Sequence, residues 1–123
     1  MKDIELYNQS IFENIKHKAE NGNEYWEARE LQKALEYFQW RRFNSVIEKA
    51  MVSCKLSGIN VLEHFANVGK VLKGANNSTK ILDDYKLSRY ACYLIVQNGD
   101  PRKEVIALGQ TYFAIKTRKQ EIT

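Results

Sequence analysis

Proline and cysteine are scarce in this sequence, with one proline and two cysteines among 123 residues. Neither Cys54 nor Cys92 belongs to a CxxC pair, so the cysteines indicate no zinc site and no redox motif. Both lie in apolar surroundings, and we expect them to be buried free thiols. A chain of this length buries roughly two thirds of its unfolded surface, so its core needs no disulfide or metal.

Long apolar runs are also missing. The longest uncharged apolar run is Tyr90–Val96, far short of a membrane span. The N-terminus, Met1–Glu5, carries acidic residues where a signal peptide would have bases followed by an apolar stretch. These features predict a cytoplasmic protein with no membrane partner.

The residue patterns of common catalytic sites are absent as well. The two histidines, His17 and His64, have no Cys, His or Asp at metal-ligand spacing. The chain has no glycine-rich phosphate loop and no GxSxG motif. Asp83 and Asp84 are adjacent, and on a strand adjacent side chains point to opposite faces, so they cannot converge on one ion. We therefore predict no enzymatic activity, no cofactor and no metal site.

Charge is unevenly distributed along the chain. Residues 1–38 carry five Lys/Arg and eight Asp/Glu, a net charge of −3, whereas residues 39–123 carry fourteen and seven, a net charge of +7. A basic region of this size favours an anionic partner, and nucleic acid is the commonest one. The alternative is that Lys and Arg only solvate helix faces.

The first half of the chain predicts helices around one short strand. Apolar spacing and a capping box from Ser10 predict a helix over Ser10–Glu20. Residues 24–26 form a strand candidate, in a two-stranded pairing at most. Helices over Glu27–Tyr37 and from Trp40 to about Lys55 then form a helix-turn-helix-like pair, an outline that most helical hairpins share without binding DNA.

The second half predicts a β-hairpin followed by two packed helices. Val68–Lys73 and Thr79–Lys86 flank a Gly/Asn-rich turn. Ser88 caps a strongly apolar helix that ends near Asn98. Asp100 is the expected N-cap of the last helix, in which Gly109 predicts a close helix–helix contact. Together these elements predict a single, mostly helical α+β domain over residues 1–123.

Basic side chains of the hairpin and of the helix pair are the candidate binding residues. Lysine on a hairpin can neutralise DNA phosphates, and arginine at the start of a second helix can meet bases or phosphates. The alternatives are edge-strand protection for the hairpin and a solvated first turn for the helix. For Arg89, which follows the Ser88 cap of the apolar helix, the alternative is a salt bridge to Asp83 or Asp84. The candidates are Arg41, Arg42, Lys70, Lys73, Lys80 and Arg89.

Three segments resemble known families. Tyr25–Leu31 resembles the "ARxL" helix opening of phage antirepressor and BRO-type N-terminal domains. Leu87–Pro101 and Gly109–Arg118 are similar to the signature blocks of the DNA-damage-inducible protein D family, and the resemblance covers residues 24–121. Two polar residues of these blocks without an evident structural role, Gln110 and Arg118, join the candidate binding residues.

The resemblance implies a bacterial or phage protein of the damage (SOS) or prophage response. Members of that family are usually longer, so we expect either a domain of a longer protein or a short stand-alone version. The family implies no catalytic residues for this chain.

Two functions from different classes follow. The first is a regulatory module that binds DNA with little sequence specificity. The alternative is a protein-interaction module, acting on a recombinase filament or capturing a repressor, without direct DNA contact. A homodimer with the last helix as its seam is a third hypothesis.

Overall fold

The computed structural model describes the backbone of residues 11–122 and the side chains of residues 11–114. It shows the predicted α+β domain, mostly helical, with the helix pair, the hairpin and two packed C-terminal helices. In chain order the elements are α1 (described over residues 11–14), β1 (His17–Lys18), β2 (Glu24–Glu27), α2 (Ala28–Ala34), α3 (Trp40–Leu56), α4 (Val61–His64), β3 (Phe65–Lys73), a 3-10 turn (Ala75–Asn77), β4 (Thr79–Leu87), α5 (Arg89–Gln97) and α6 (Glu104–Ile122).

The four strands form one antiparallel sheet in the order β1-β2-β4-β3. Strand β2 meets β4 at only two positions, Trp26 opposite Leu87 and Glu27 opposite Lys86. Strands β3 and β4 pair along their whole length, from Phe65 opposite Leu87 to the turn. The hairpin therefore extends beyond the rest of the sheet.

Helix α5 lies at the centre of the domain, as its apolar sequence predicts. It packs on α3, α4 and α6 and on strands β2 and β4, and Ser88 caps it by accepting a hydrogen bond from the Ala91 amide. Gly109 of α6 is buried against α5, where a Cβ would lie 3.0 Å from Val96 Cγ1. The predicted close helix–helix contact is confirmed.

The predicted helix over Ser10–Glu20 is wrong in its second half. Helical backbone ends at residue 14, and residues 17–18 form β1 against β2; the proposed cap, Ser10, lies outside the described residues. Strand β2 also belongs to a four-stranded sheet rather than a two-stranded pairing. In the first case a short strand pairing, between β1 and β2, overrides the local helical periodicity. In the second case the pairing of β2 with β4 joins segments far apart in the sequence, which a local pattern does not specify.

Asp100 does not cap the last helix, which begins at Glu104. Its carboxylate instead accepts hydrogen bonds from the backbone amide and the side chain of Arg102, with distances of 3.0 Å. Such a local side-chain-to-backbone bond competes with helix formation and holds residues 101–103 in a turn.

Two further expectations concern the cysteines and the membrane. Cys54 and Cys92 are both buried and free, as predicted. Among the described residues, no helix has the length and apolar character needed to cross a membrane.

Candidate nucleic-acid interface

The outer part of the hairpin is a two-stranded ribbon, which we call the ribbon arm and define as residues 68–82. Within the described part of the chain its strands pair only with each other, because β2 meets β4 nearer the hairpin base. Every residue from 71 to 81 is exposed. At its tip Asn76 and Asn77 adopt positive φ angles of 60° and 61°, a conformation that asparagine tolerates better than most residues. The arm therefore projects into solvent.

The arm is basic. Residues 68–82 contain three lysines and no acidic residue. Lys70 and Lys80 share one face, since Lys70 lies opposite Leu82 and Lys80 lies opposite Leu72, whereas Lys73 lies on the other face. Lys70 Nζ also lies 3.6 Å from Glu27 Oε1 at the arm's base. The three predicted lysines are thus on one element, distributed over both of its faces.

Apolar side chains are exposed on the same arm. Val71 and Ile81 lie opposite each other on one face, with exposed fractions of 61% and 72%, and Leu72 on the other face is 43% exposed. Ile81 also covers Gly69, where a Cβ would lie 2.7 Å from Ile81 Cγ2. Both faces of the projecting ribbon therefore carry apolar and basic side chains together.

The start of α3 lies beside the root of the arm. The Trp40 ring stacks on Tyr85 of β4 with a centroid distance of 6.4 Å, and the Arg29 guanidinium lies 4.0 Å from the Trp40 ring centroid. The two predicted arginines of this first turn, Arg41 and Arg42, are both exposed. Arg29 was not predicted from the sequence, since its position depends on the stacked tryptophan.

Arg89 is not part of this surface, and its expected exposure is wrong. The side chain is 4% exposed. Its Nε and Nη2 atoms donate to the two carboxylate oxygens of Glu24, at 2.5 and 3.1 Å. The expected salt bridge to Asp83 or Asp84 is also wrong, because the first turn of α5 faces β2 in the interior.

The burial of Arg89 is compensated by Glu24 and by aromatic rings. Its guanidinium lies 4.9 Å from the Trp26 ring centroid and 5.1 Å from that of Tyr112. Burial by itself would lower the pKa of Arg89, but the interactions with Glu24 and Tyr112 together outweigh it and raise the pKa above its ordinary value. Arg89 is therefore a charged residue that stabilises the fold.

The two remaining predicted residues are Gln110 and Arg118, both on α6. Gln110 Nε2 donates to the Val96 carbonyl at 2.9 Å, so this side chain links α6 to the end of α5. The Arg118 side chain lies outside the described residues. Asp84 is buried, and its Oδ1 accepts from the Arg29 amide at 3.0 Å, whereas Asp83 is exposed, as the alternation of strand side chains predicts.

A second exposed region lies at the turn between α2 and α3. Phe38 is 95% exposed. Beside it is a cleft of about 360 Å³ whose lining includes Arg42, Asp100 and Lys103. The sequence predicts a turn at Phe38-Gln39. It does not predict that Phe38 is exposed beside Lys103 of the α5–α6 connection, because these two segments meet only in the folded chain.

Among the described residues, one group of side chains could offer ligands to a metal ion. His17, Glu27 and Glu30 place one ligand atom each within 4.8 Å of one another. His17 Nε2 is 2.5 Å from Glu30 Oε1, and Glu27 is close to Lys70. The sequence spacing does not predict this group, since β1 and α2 bring it together. The hydrogen bond between His17 and Glu30 and the contact of Glu27 with Lys70 account for the geometry of this group.

Comparison with known proteins identifies relatives. Residues 14–114 match the family model described as the BRO family, N-terminal domain. The chain is 50% identical over 111 residues to DNA damage-inducible protein D of Escherichia coli strain K12, an alignment that covers 90% of this chain and 40% of that protein. The chain thus spans well under half the length of that relative. No solved structure matches the chain.

Proposed function

The chain belongs to the family described as the BRO family, N-terminal domain, and from that membership we propose that it is a regulatory DNA-binding module of the damage or prophage response. We propose that it has no catalytic activity of its own. The name of its relative, DNA damage-inducible protein D, supports a role in the damage response. DNA is the proposed ligand because of the ribbon arm, which is the observation that carries the proposal.

The shape and charge of the arm suit a nucleic-acid groove. A two-stranded β-ribbon fits the major groove of B-DNA, and phosphates flank that groove on both sides. Lysines on both faces of the arm can neutralise phosphates on each side and release the counterions bound there. Arg41 and Arg42 at the root extend the basic surface, and none of these contacts reads a base, so binding is expected to be weakly sequence-specific.

A salt titration of DNA binding tests this proposal. The Lys70→Ala, Lys73→Ala, Lys80→Ala triple variant should bind duplex DNA more weakly. Its slope of log affinity against log salt should be shallower by up to about 3, since each lost phosphate contact removes about 0.9.

The matched control removes three exposed lysines of α2 and α3, Lys33, Lys49 and Lys55. This Lys→Ala triple variant has the same net charge as the arm variant and should keep the parental slope. Equal losses in both triple variants would mean that net charge alone matters, and no binding at low salt would refute the proposal.

The second candidate function is a protein-interaction module, and the exposed Val71, Leu72 and Ile81 of the arm favour it. Exposed apolar side chains on an unpaired ribbon are suited to a protein partner of the recombination or repressor machinery, or to a second copy of the chain. In that case Val71→Ser with Ile81→Ser should abolish complex formation, and the lysine variant should not.

A further inference from the structure

Phe38 is the most exposed large apolar residue described in the domain, and its backbone neighbourhood is strained. Glu36, two residues earlier, has a φ of 60°, a left-handed conformation that is uncommon for glutamate. The Tyr37 amide donates to the Gln32 carbonyl at 3.0 Å, and Gln32 Nε2 donates to the Tyr37 carbonyl at 2.9 Å. These bonds hold the turn in the conformation that presents Phe38 to solvent.

Two cations from different parts of the chain line the cleft beside the ring. Arg42 of α3 and Lys103 of the α5–α6 connection line the adjoining cleft. Lys103 Nζ donates to the Glu36 carbonyl at 2.7 Å and lies 3.8 Å from the Tyr37 ring centroid, which fixes its position. Two acidic residues, Glu36 and Asp100, also line the cleft. Asp100 is paired with Arg102 at 3.0 Å, which leaves Glu36 against the two cations, Arg42 and Lys103.

We propose that Phe38 is a stacking platform for one unpaired nucleotide, with the base on the Phe38 ring and the flanking phosphates beside Arg42 and Lys103. Every base has a π face, and an exposed aromatic ring between cations binds single-stranded nucleic acid without reading its sequence. The cleft volume lies within the range of small-ligand sites. This proposal rests on the proposed function and adds that the bound DNA contains unpaired bases.

Duplex DNA and a protein partner fit the platform less well. In a duplex the bases are stacked on one another, so their faces do not reach a side chain on the protein surface. A protein partner would require a continuous apolar patch, whereas Glu36, Gln39 and Arg42 around the ring are polar. An unpaired nucleotide offers a base to stack on the ring and phosphates to pair with the cations.

Binding of a fluorescent oligothymidylate and of a blunt duplex tests the platform in three variants. Phe38→Leu keeps an apolar side chain and removes the π face, so affinity for oligothymidylate should fall about tenfold, the effect expected for one stacked base. Phe38→Tyr should retain parental affinity. Leu56→Ala, which removes another exposed apolar side chain at the far end of α3, should change neither affinity.

The outcomes separate this inference from the proposed function. A selective loss for oligothymidylate in Phe38→Leu, reversed in Phe38→Tyr, supports the platform. Unchanged oligothymidylate binding in Phe38→Leu overturns it, as does an equal loss on both DNA forms or a change only in self-association. If duplex binding still depends on Lys70, Lys73 and Lys80, the proposed function stands while the platform is rejected. If the parent binds neither DNA form, both proposals are refuted.

Discussion

Arg89 is a charged residue that the fold requires. Replacing it in Arg89→Met removes the two hydrogen bonds that the partly buried Glu24 carboxylate accepts from Arg89. Breaking a buried ion pair costs several kcal/mol, so we expect the free energy of unfolding to fall by about 3 kcal/mol. Urea unfolding measures it.

The control for this prediction is Arg102→Met, whose side chain is 89% exposed and paired with Asp100. Exposed ion pairs contribute little, so this variant should unfold at nearly the parental urea concentration. A parental urea midpoint in Arg89→Met would show that the Glu24 pair contributes nothing to stability.

The two cysteines should react slowly with thiol reagents in the native protein. Burial raises the pKa of both Cys54 and Cys92, so little of either thiol is in the reactive thiolate form at neutral pH. We expect labelling by a chromogenic disulfide reagent to be slow in buffer and rapid in denaturant. Each single variant, Cys54→Ala or Cys92→Ala, retains one thiol. Fast labelling of either variant in buffer would contradict the expected slow reaction of the thiol that it retains.

At the scale of elements, the first turn of helix α2 is stabilised by a side chain from strand β4. The N-cap residue Glu27 makes no side-chain cap bond, and Asp84 of β4 supplies the missing acceptor for the Arg29 amide. A negative charge at this end also interacts favourably with the helix dipole. Asp84→Ala should therefore lower the free energy of unfolding by about 2 kcal/mol, the cost of leaving such a donor unpaired.

Asp83→Ala is the matched control, because this neighbouring aspartate is exposed and contributes to Arg29 only through its backbone carbonyl. Thermal unfolding of the two variants should separate them clearly, with Asp83→Ala close to the parent. Equal melting temperatures would mean that water replaces Asp84 at the helix start.

At the scale of the whole molecule, the core and the ribbon arm are separable. The buried side chains lie on the helices and on the inner ends of the strands, and residues 71–81 are all exposed. Deleting residues 71–81 and joining Lys70 to Leu82, its cross-strand partner, through an Asn-Gly turn should preserve the fold. The expected melting temperature is close to the parental value, with duplex DNA binding weakened because Lys73 and Lys80 are removed.

Circular dichroism and a DNA-binding titration of the same deletion variant check this prediction. A folded variant that binds DNA normally would exclude the arm as the interface. A variant that fails to fold would show that the arm contributes to the core, contrary to its exposure.

The sequence by itself determined most elements of the fold and the family. Turn chemistry at residues 74–78 predicted the hairpin, and apolar spacing with the Ser88 cap predicted α5. Two long residue blocks identified the resemblance that the comparisons confirm. These signals are local, because they depend on propensities and spacings within a few residues.

Only the tertiary structure decided which charged side chains are available for binding. Lys73 and Lys80 lie on an element that extends past the sheet, whereas Arg89, equally polar in sequence, is buried against Glu24 sixty-five residues away. Phe38 became a candidate for the opposite reason, since an apolar residue in a turn stays exposed beside Lys103. Burial depends on contacts between distant segments, and the local pattern around a residue does not specify those contacts.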